Sequence, residues 1–328
     1  MQPLSVSRGE TPSSVPGQHR IAILVPCYNE EAAIGQVIGD FRAALPEATV
    51  YVYDNNSTDD TVAVARAAGA VVRHELNRGK GNVVRRMFAD VEADIYVLVD
   101  GDDTYDAAAA PALIRQFLDG QLDMLNGSRV SEVSEAYRPG HKFGNWLLTS
   151  IVAWLFGNRF TDMLSGYRVF SRRFVKSFPA LAAGFEIETE LTVHALELRM
   201  PIAESPTRYK ERPPGSVSKL RTYRDGWRIL MTILTLVKEE RPLPFFSLIS
   251  GVLTVVAMVL TWPLVLTYLD TGLVPRFPTA ILATGLMLLA ALSLTCGLIL
   301  DTVTLGRREM KRMRYLAIAA PEADRDDG

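Results

Sequence analysis

Cysteine is nearly absent from this chain: Cys27 and Cys296 are the only two. One falls in a short apolar run near the start and the other in a long apolar stretch near the end. No disulfide is expected between them, and both read as free thiols in a reducing compartment. No cysteine–histidine cluster has zinc spacing, which removes that class of centre. An excess charge of one sign is also missing. The 35 basic and 37 acidic residues leave a net charge of −2, so no nucleic-acid partner is implied. Residues 1–19 are rich in Pro, Ser and Gly and lack the apolar core of a secretory signal. They read as a disordered lead-in, and the tail from Pro321 reads the same way. No internal repeat is visible.

What the chain has in excess is apolar length. Hydrophobic residues make up 48% of it, concentrated near the carboxyl end. Pro242 to Leu269 and Phe277 to Leu300 carry no charged residue, and each stretch exceeds the roughly 20 residues that cross a bilayer core. Two transmembrane helices, over about residues 244–269 and 278–303, would form a hairpin. Lys238 and Arg241 precede the first, while Arg307, Arg308, Lys311, Arg312 and Arg314 follow the second. The positive-inside bias then puts the catalytic domain and both termini on the cytoplasmic side of the inner membrane, in a multi-pass protein. Residues 306–328 read as a basic cytoplasmic tail and 221–241 as a juxtamembrane amphipathic helix. Trp146 to Phe156 is too short to span; it reads as a core helix or one lying in the membrane interface. Two buried core helices are the bland alternative for the hairpin. A homo-oligomer is left open, because the spans can pack within or between chains.

Before residue 120, short apolar runs alternate with helical patterns. Ile21–Val25, Val50–Tyr53, Val71–Arg73 and Ile95–Val99 read as strands. Helices are expected over Glu30–Leu45, Asp60–Ala68, Gly79–Asp90 and Ala107–Leu118. That alternation implies an α/β fold built on a parallel sheet, in a domain placed over residues 20–220. A further strand is expected at Met124–Gly127.

The run Ile95-Tyr96-Val97-Leu98-Val99 ends in Asp100-Gly101-Asp102-Asp103. Ligands in open α/β sheets collect beyond the carboxyl ends of the strands. Carboxylates packed this closely repel one another and call for a cation, and an all-oxygen donor set favours Mg²⁺ or Mn²⁺ over zinc. A helix N-cap would explain a lone Asp-x-Asp equally well. Asp103 has no assigned role.

Two more polar loops follow strands at the same edge: Pro26-Cys27-Tyr28-Asn29-Glu30 and Asp54-Asn55-Asn56-Ser57-Thr58-Asp59. With Asp100-Gly101-Asp102 they resemble, in order and spacing, the donor half of family 2 glycosyltransferases. The resemblance implies a GT-A (Rossmann-like) catalytic domain, a nucleotide-sugar donor (UDP- or GDP-linked) and a divalent cation. It implies that Pro26, Tyr28, Glu30, Asp54 and Asn55 bind the donor, with Asn55 standing where the family usually has a second aspartate. Asn77-Arg78-Gly79-Lys80-Gly81 resembles the family's glycine-rich segment, with Lys80 offsetting diphosphate charge. Asp102 would hold the metal, which stabilises the leaving diphosphate, and Asp100 would bind the donor's ribose, the metal or both.

Gly127-Ser128-Arg129, His141-Lys142 with Asn145, and Asp162 to Arg168 resemble segments of the polyprenyl-phosphate branch, the dolichyl- and undecaprenyl-phosphate transferases. Arg129, Lys142, Asn145 and Arg168 would then bind the acceptor phosphate. Glu188 aligns with a family glutamate and joins Asp102 and Arg129 as catalytic. Arg212-Pro213-Pro214-Gly215 through Lys219 resembles a mobile loop whose Arg212 and Lys219 close on the diphosphate. The implied reaction is inverting transfer of a sugar to a polyprenyl phosphate. The alternatives are a hydroxyl acceptor with Asp162 or Glu188 as base, or a non-catalytic membrane scaffold of the same fold. No Gln-x-x-Arg-Trp motif occurs, which disfavours processive polymer synthesis.

Overall fold

The computed structural model describes residues 19–130, 150, 160–180, 182, 184, 186–210, 231, 234–235 and 237–320. The expectations for residues 1–18, for Lys142, Asn145, Arg212 and Lys219, and for most of Trp146–Phe156 and Thr222–Glu240 lie outside the described residues.

Among the described residues seven strands form one sheet in the order β3-β2-β1-β4-β6-β5-β7. They are β1 (Ile21–Cys27), β2 (Thr49–Asp54), β3 (Val71–His74), β4 (Ile95–Leu98), β5 (Met124–Val130), β6 (Arg168–Ser171) and β7 (Ile202–Arg208). The first four pair in parallel. They are joined by α1 (Glu31–Ala44), α2 (Thr61–Ala67) and α3 (Lys80–Asp90). The β-branched and aromatic runs of β1 and β4 are buried along their length because helices cover both sheet faces.

The parallel pairing expected from the alternation holds over these four strands, and the strands after them make the sheet mixed. β6 runs antiparallel to both β4 and β5, while β7 pairs parallel with β5. Neither β6 nor β7 reads as a strand in the sequence. β6 has four residues and begins with a buried arginine. β7 carries Glu204, Ser205 and Pro206, and it tolerates Pro206 because it is an edge strand.

α4 (Ala110–Asp119), α5 (Arg172–Ser177) and α6 (Ile187–Glu197) complete the body around the sheet. Ser171 caps α5 by accepting from the Phe174 amide at 3.1 Å. Two apolar helices follow, α7 (Pro242–Thr271) and α8 (Phe277–Leu316), packed against each other. Residues 306–316, in the basic segment after the second span, continue α8. Two of their basic side chains are ion-paired to the end of α6: Arg308 and Lys311 meet Glu197 at 3.2 and 2.7 Å.

Candidate active site

The sheet reverses its strand order beside β1, with β2 on one side and β4 on the other, and this is where open α/β sheets bind ligands. The loops after β1 and β2 are laced together there. The Asn29 amide donates to Ser57 Oγ at 2.9 Å, and the Thr58 amide donates to Asn29 Oδ1 at 2.8 Å. The Asp60 amide donates to Glu31 Oε2 at 2.8 Å. Pro26 lies on β1, Tyr28 is 36% exposed, and Glu30 is buried with its amide on Thr61 Oγ1.

Asp54 ends β2. Its carboxylate is buried, accepts from the Ser57 amide and lies 3.3 Å from His74 Nδ1. Asn55 is used differently from what the resemblance implies. Its Nδ2 donates to the carbonyls of Glu75 and Asn77 at 2.9 and 2.8 Å, and its Oδ1 accepts from the Gly79 amide at 2.7 Å. The side chain therefore holds the segment before α3. Gly79 has φ 125°, a conformation that favours glycine, and it turns the chain so that α3 opens on Lys80.

Lys80 joins three parts of the chain. Its Nζ lies 2.5 Å from Asp100 Oδ1 and 2.5 Å from Glu188 Oε1. Burial alone would lower its pKa, but the two carboxylates outweigh burial and raise it, so Lys80 is a fixed cation. The other Glu188 oxygen, Oε2, is buried and has no hydrogen-bond partner among the described residues. Glu188 sits in the first turn of α6, where an acid also complements the helix dipole.

Asp100 rests against Gly166, where an added Cβ would run into its carboxylate. Tyr105 Oη accepts from the Gly166 amide at 2.8 Å and fixes that backbone. Asp102 is buried, and its Oδ1 accepts from Thr104 Oγ1 at 2.6 Å. Asp103 has φ 56° and faces Lys210 Nζ at 3.6 Å. Among the described residues no three His, Cys, Asp or Glu side chains converge as a metal cage. Two carboxylates on one turn, Asp100 resting against Gly166 and Asp102 held by Thr104, still fit Mg²⁺ or Mn²⁺, because such ions are held by one or two carboxylates with substrate phosphate and water completing the shell.

On the far side of β4, Arg129 ends β5 as a fork on Asp162, with Nε to Oδ2 at 2.7 Å and Nη2 to Oδ1 at 2.8 Å. Its guanidinium carbon lies 5.6 Å from the Tyr209 ring centre. Burial would push the Asp162 carboxyl up, but its hydrogen bonds with Arg129 and the guanidinium charge hold it below its ordinary value. Glu204 Oε1 accepts from the Asp162 amide at 3.1 Å and from Asn126 Nδ2 at 2.9 Å. Sequence reasoning missed Glu204, Gly166 and Tyr105; the only cue for Glu204 was a carboxylate in a poor strand pattern.

Arg168 departs from expectation. It is 1% exposed, and it donates to the carbonyls of Ser165 and Met163 and to Thr192 Oγ1 at 2.8 Å. Burial lowers its pKa to about 10. The side chain points into the protein because it starts β6, so it is not presented to an acceptor phosphate.

Residues 22–177 match the family described as Glycosyl transferase family 2. Over 309 residues the chain is 31% identical to glycosyltransferase AglJ of Haloferax volcanii, spanning 92% of this chain and 100% of that protein. It is 27% identical over 221 residues to the dolichyl-phosphate hexose transferase of the same organism, spanning 67% and 95%. Among solved structures, glucosyl-3-phosphoglycerate synthase from Mycobacterium tuberculosis, in complex with Mn²⁺, UDP and glucosyl-3-phosphoglycerate, matches with TM-score 0.56 and 25% identity. That match covers 67% of this chain and 79% of that one.

Proposed function

Since this chain belongs to glycosyltransferase family 2 and has a GT-A, Rossmann-like mixed sheet with two apolar carboxyl-terminal helices, we propose that it transfers a sugar from a nucleotide donor to a polyprenyl phosphate in a membrane. The observation that carries the lipid acceptor is the exposure of α7 and α8. α7 buries only Pro242, Ala257 and Leu264, while Trp262, Leu269 and Leu292 are 66%, 73% and 61% exposed. A core helix of a water-soluble protein would bury such side chains, whereas a bilayer accepts them. The charge-free stretches, with basic residues beyond both outer ends, support a two-span hairpin with the catalytic domain and both termini on the cytoplasmic side.

In this reading the loops after β1 and β2 hold the nucleoside, and Asp54 accepts from the base. Asp100 and Asp102 hold Mg²⁺ or Mn²⁺, which when bound neutralises charge growing on the leaving diphosphate. Lys80 keeps Asp100 in place, and Glu188 keeps Lys80 in place. Arg129, oriented by Asp162, binds the acceptor phosphate. An oxygen of that phosphate attacks the anomeric carbon as the bond to the diphosphate breaks, and the nucleoside diphosphate leaves with the electron pair. The product is an inverted sugar phosphodiester of the lipid.

A phosphate oxygen is already anionic at neutral pH and needs no general base. That suits this site better than a hydroxyl acceptor. Asp162 is engaged by Arg129, and Glu188 is engaged by Lys80, so neither is a ready base. The resemblance to the dolichyl-phosphate hexose transferase also favours the phosphate.

The test is to incubate the purified protein with polyprenyl phosphate and a panel of radiolabelled UDP- and GDP-sugars, with Mg²⁺ or Mn²⁺. The expected product is organic-extractable and labile to mild acid. Label that enters only water-soluble or acid-stable products would overturn the reading.

A further inference from the structure

α8 is longer than a bilayer requires. Its 40 residues reach about 60 Å at the usual helical rise, against a hydrocarbon core of about 30 Å. The part beyond Leu300 is where charged residues begin, and it is fastened first to Glu239 and Glu240, which lead into α7, and then to the body around the sheet. Thr304 Oγ1 and Arg307 Nη2 donate to the Glu239 carbonyl at 3.1 and 3.0 Å. Arg308 spans two carboxylates, Glu197 at 3.2 Å and Glu240 at 3.1 Å, and also donates to the Glu240 carbonyl at 2.7 Å. Lys311 Nζ reaches Glu197 at 2.7 Å, and the Glu197 side chain is only 1% exposed.

One turn further, Tyr315 Oη donates to Asp123 Oδ2 at 2.6 Å. Asp123 is fully buried, ion-paired to Arg173 and bonded to Ser171 Oγ, and the Arg173 guanidinium lies 4.8 Å from the Tyr315 ring centre. These anchors sit on the elements that carry the candidate site. Asp123 immediately precedes β5, whose other end bears Arg129, and Glu197 ends α6, whose first turn bears Glu188. α6 is buried along most of its length, so it does not bend independently of the sheet.

Buried charges on one side met by a matched set on the other fix a single orientation, because any slip leaves a buried charge unpaired. Resting on the membrane-acceptor reading above, the geometry points to α8 as a rigid mast. Its docked end sets the height and tilt at which the site meets the bilayer, with Glu197, Asp123, Lys311 and Tyr315 as positioning residues. A flexible tether would leave the acceptor phosphate to be found by chance; a docked helix holds the site at one depth.

The test uses the full chain in lipid nanodiscs, with a dye on Gln116→Cys in a Cys296→Ser background and energy-transfer acceptors in the lipid headgroups. Gln116 is exposed on α4, and the other thiol, Cys27, is buried. The unmodified dock is expected to give one narrow dye-to-bilayer distance. The Lys311→Met/Tyr315→Phe pair is expected to broaden it, Tyr315→Phe alone to broaden it less, and Lys311→Arg to preserve it. In parallel, the double variant should lose about tenfold in kcat/KM for a long-chain polyprenyl phosphate in discs, with little change for a water-soluble short-chain prenyl phosphate in detergent. An unchanged distance distribution in the double variant, or equal losses on both acceptors, would overturn the mast. If the unsubstituted protein glycosylates neither phosphate, the lipid-acceptor reading has failed. The distance measurement needs no turnover and still decides the docking.

Discussion

Lys80 and Glu188 stand 108 residues apart in the chain, and their side chains meet at 2.5 Å. The same ammonium holds Asp100, so one buried cation ties the acidic turn after β4 to the first turn of α6. With that cation removed, Asp100 and Glu188 face each other without compensation.

Lys80→Met should therefore separate metal binding from turnover. Without the ammonium, the acidic turn should bind Mn²⁺ about tenfold more tightly, equivalent to about 1.4 kcal/mol. Transfer should fall by at least about a hundredfold, because Asp100 and Glu188 lose their common anchor. Mn²⁺ titration calorimetry beside a turnover assay reads both. Weaker Mn²⁺ binding with normal turnover would refute the assigned role.

Asn55→Asp restores the residue the family usually has, and here it should harm the enzyme. A carboxylate cannot donate to the Glu75 and Asn77 carbonyls, and it would lie against them. Losing two such bonds in a largely buried setting costs about 2–4 kcal/mol. The expected outcome is a lower melting temperature and slower turnover, with the preference between uridine and guanosine donors unchanged. A changed base preference with unchanged stability would make Asn55 a base reader.

β1, β2 and β4 were legible because their apolar runs suit buried strands in this alternation, β3, an exposed edge strand, because of its place between two helical patterns, and the first half of β5 from its short apolar start. The acidic turn and the loops after β1 and β2 were legible because they follow those runs. The reversal at β6 was not. Four residues beginning with Arg168 look like a polar motif, and only the pairing with β4 and β5 turns that arginine inward. Asp162 carried no cue that it would fork Arg129, since the contact spans 33 residues of sequence. The docking of α8 was not legible for a related reason. Arg307, Arg308 and Lys311 read only as basic residues past the second span, and the fold alone brings Glu197 and Glu240 to face them.

Asp162 gives an acid-sensitive contribution to stability. Its folded pKa lies below its unfolded value of about 3.9, so the Arg129 pair stabilises fully above that value and loses its effect as pH falls through the folded value. Asp162→Asn should cost about 3 kcal/mol at pH 7, and the difference should shrink below about pH 4. Denaturant unfolding in detergent across that range measures it. A cost that stays constant to pH 3 would contradict the pairing.

His194 acts with the same sign over a wider window. Burial, and then the nearby Lys311 charge, lower its pKa to about 3, against about 6.5 in an unfolded chain. Its contribution is complete above pH 6.5 and declines by up to about 1.4 kcal/mol per unit as pH falls towards 3. His194→Leu should flatten the stability profile between pH 6 and pH 4. An unaltered slope would mean that another group governs the acid limb.

The central claim is that the sugar is delivered to a lipid phosphate by a site whose leaving-group end is Asp102. The most direct measurement compares polyprenyl phosphate with the corresponding polyprenol as acceptor, for the unsubstituted protein and for Asp102→Asn, using the donor that gives most turnover. The account predicts transfer to the phosphate and none to the alcohol, with the phosphate reaction lost in Asp102→Asn while the fold is retained. Transfer to the alcohol, or undiminished transfer to the phosphate by Asp102→Asn, would contradict it.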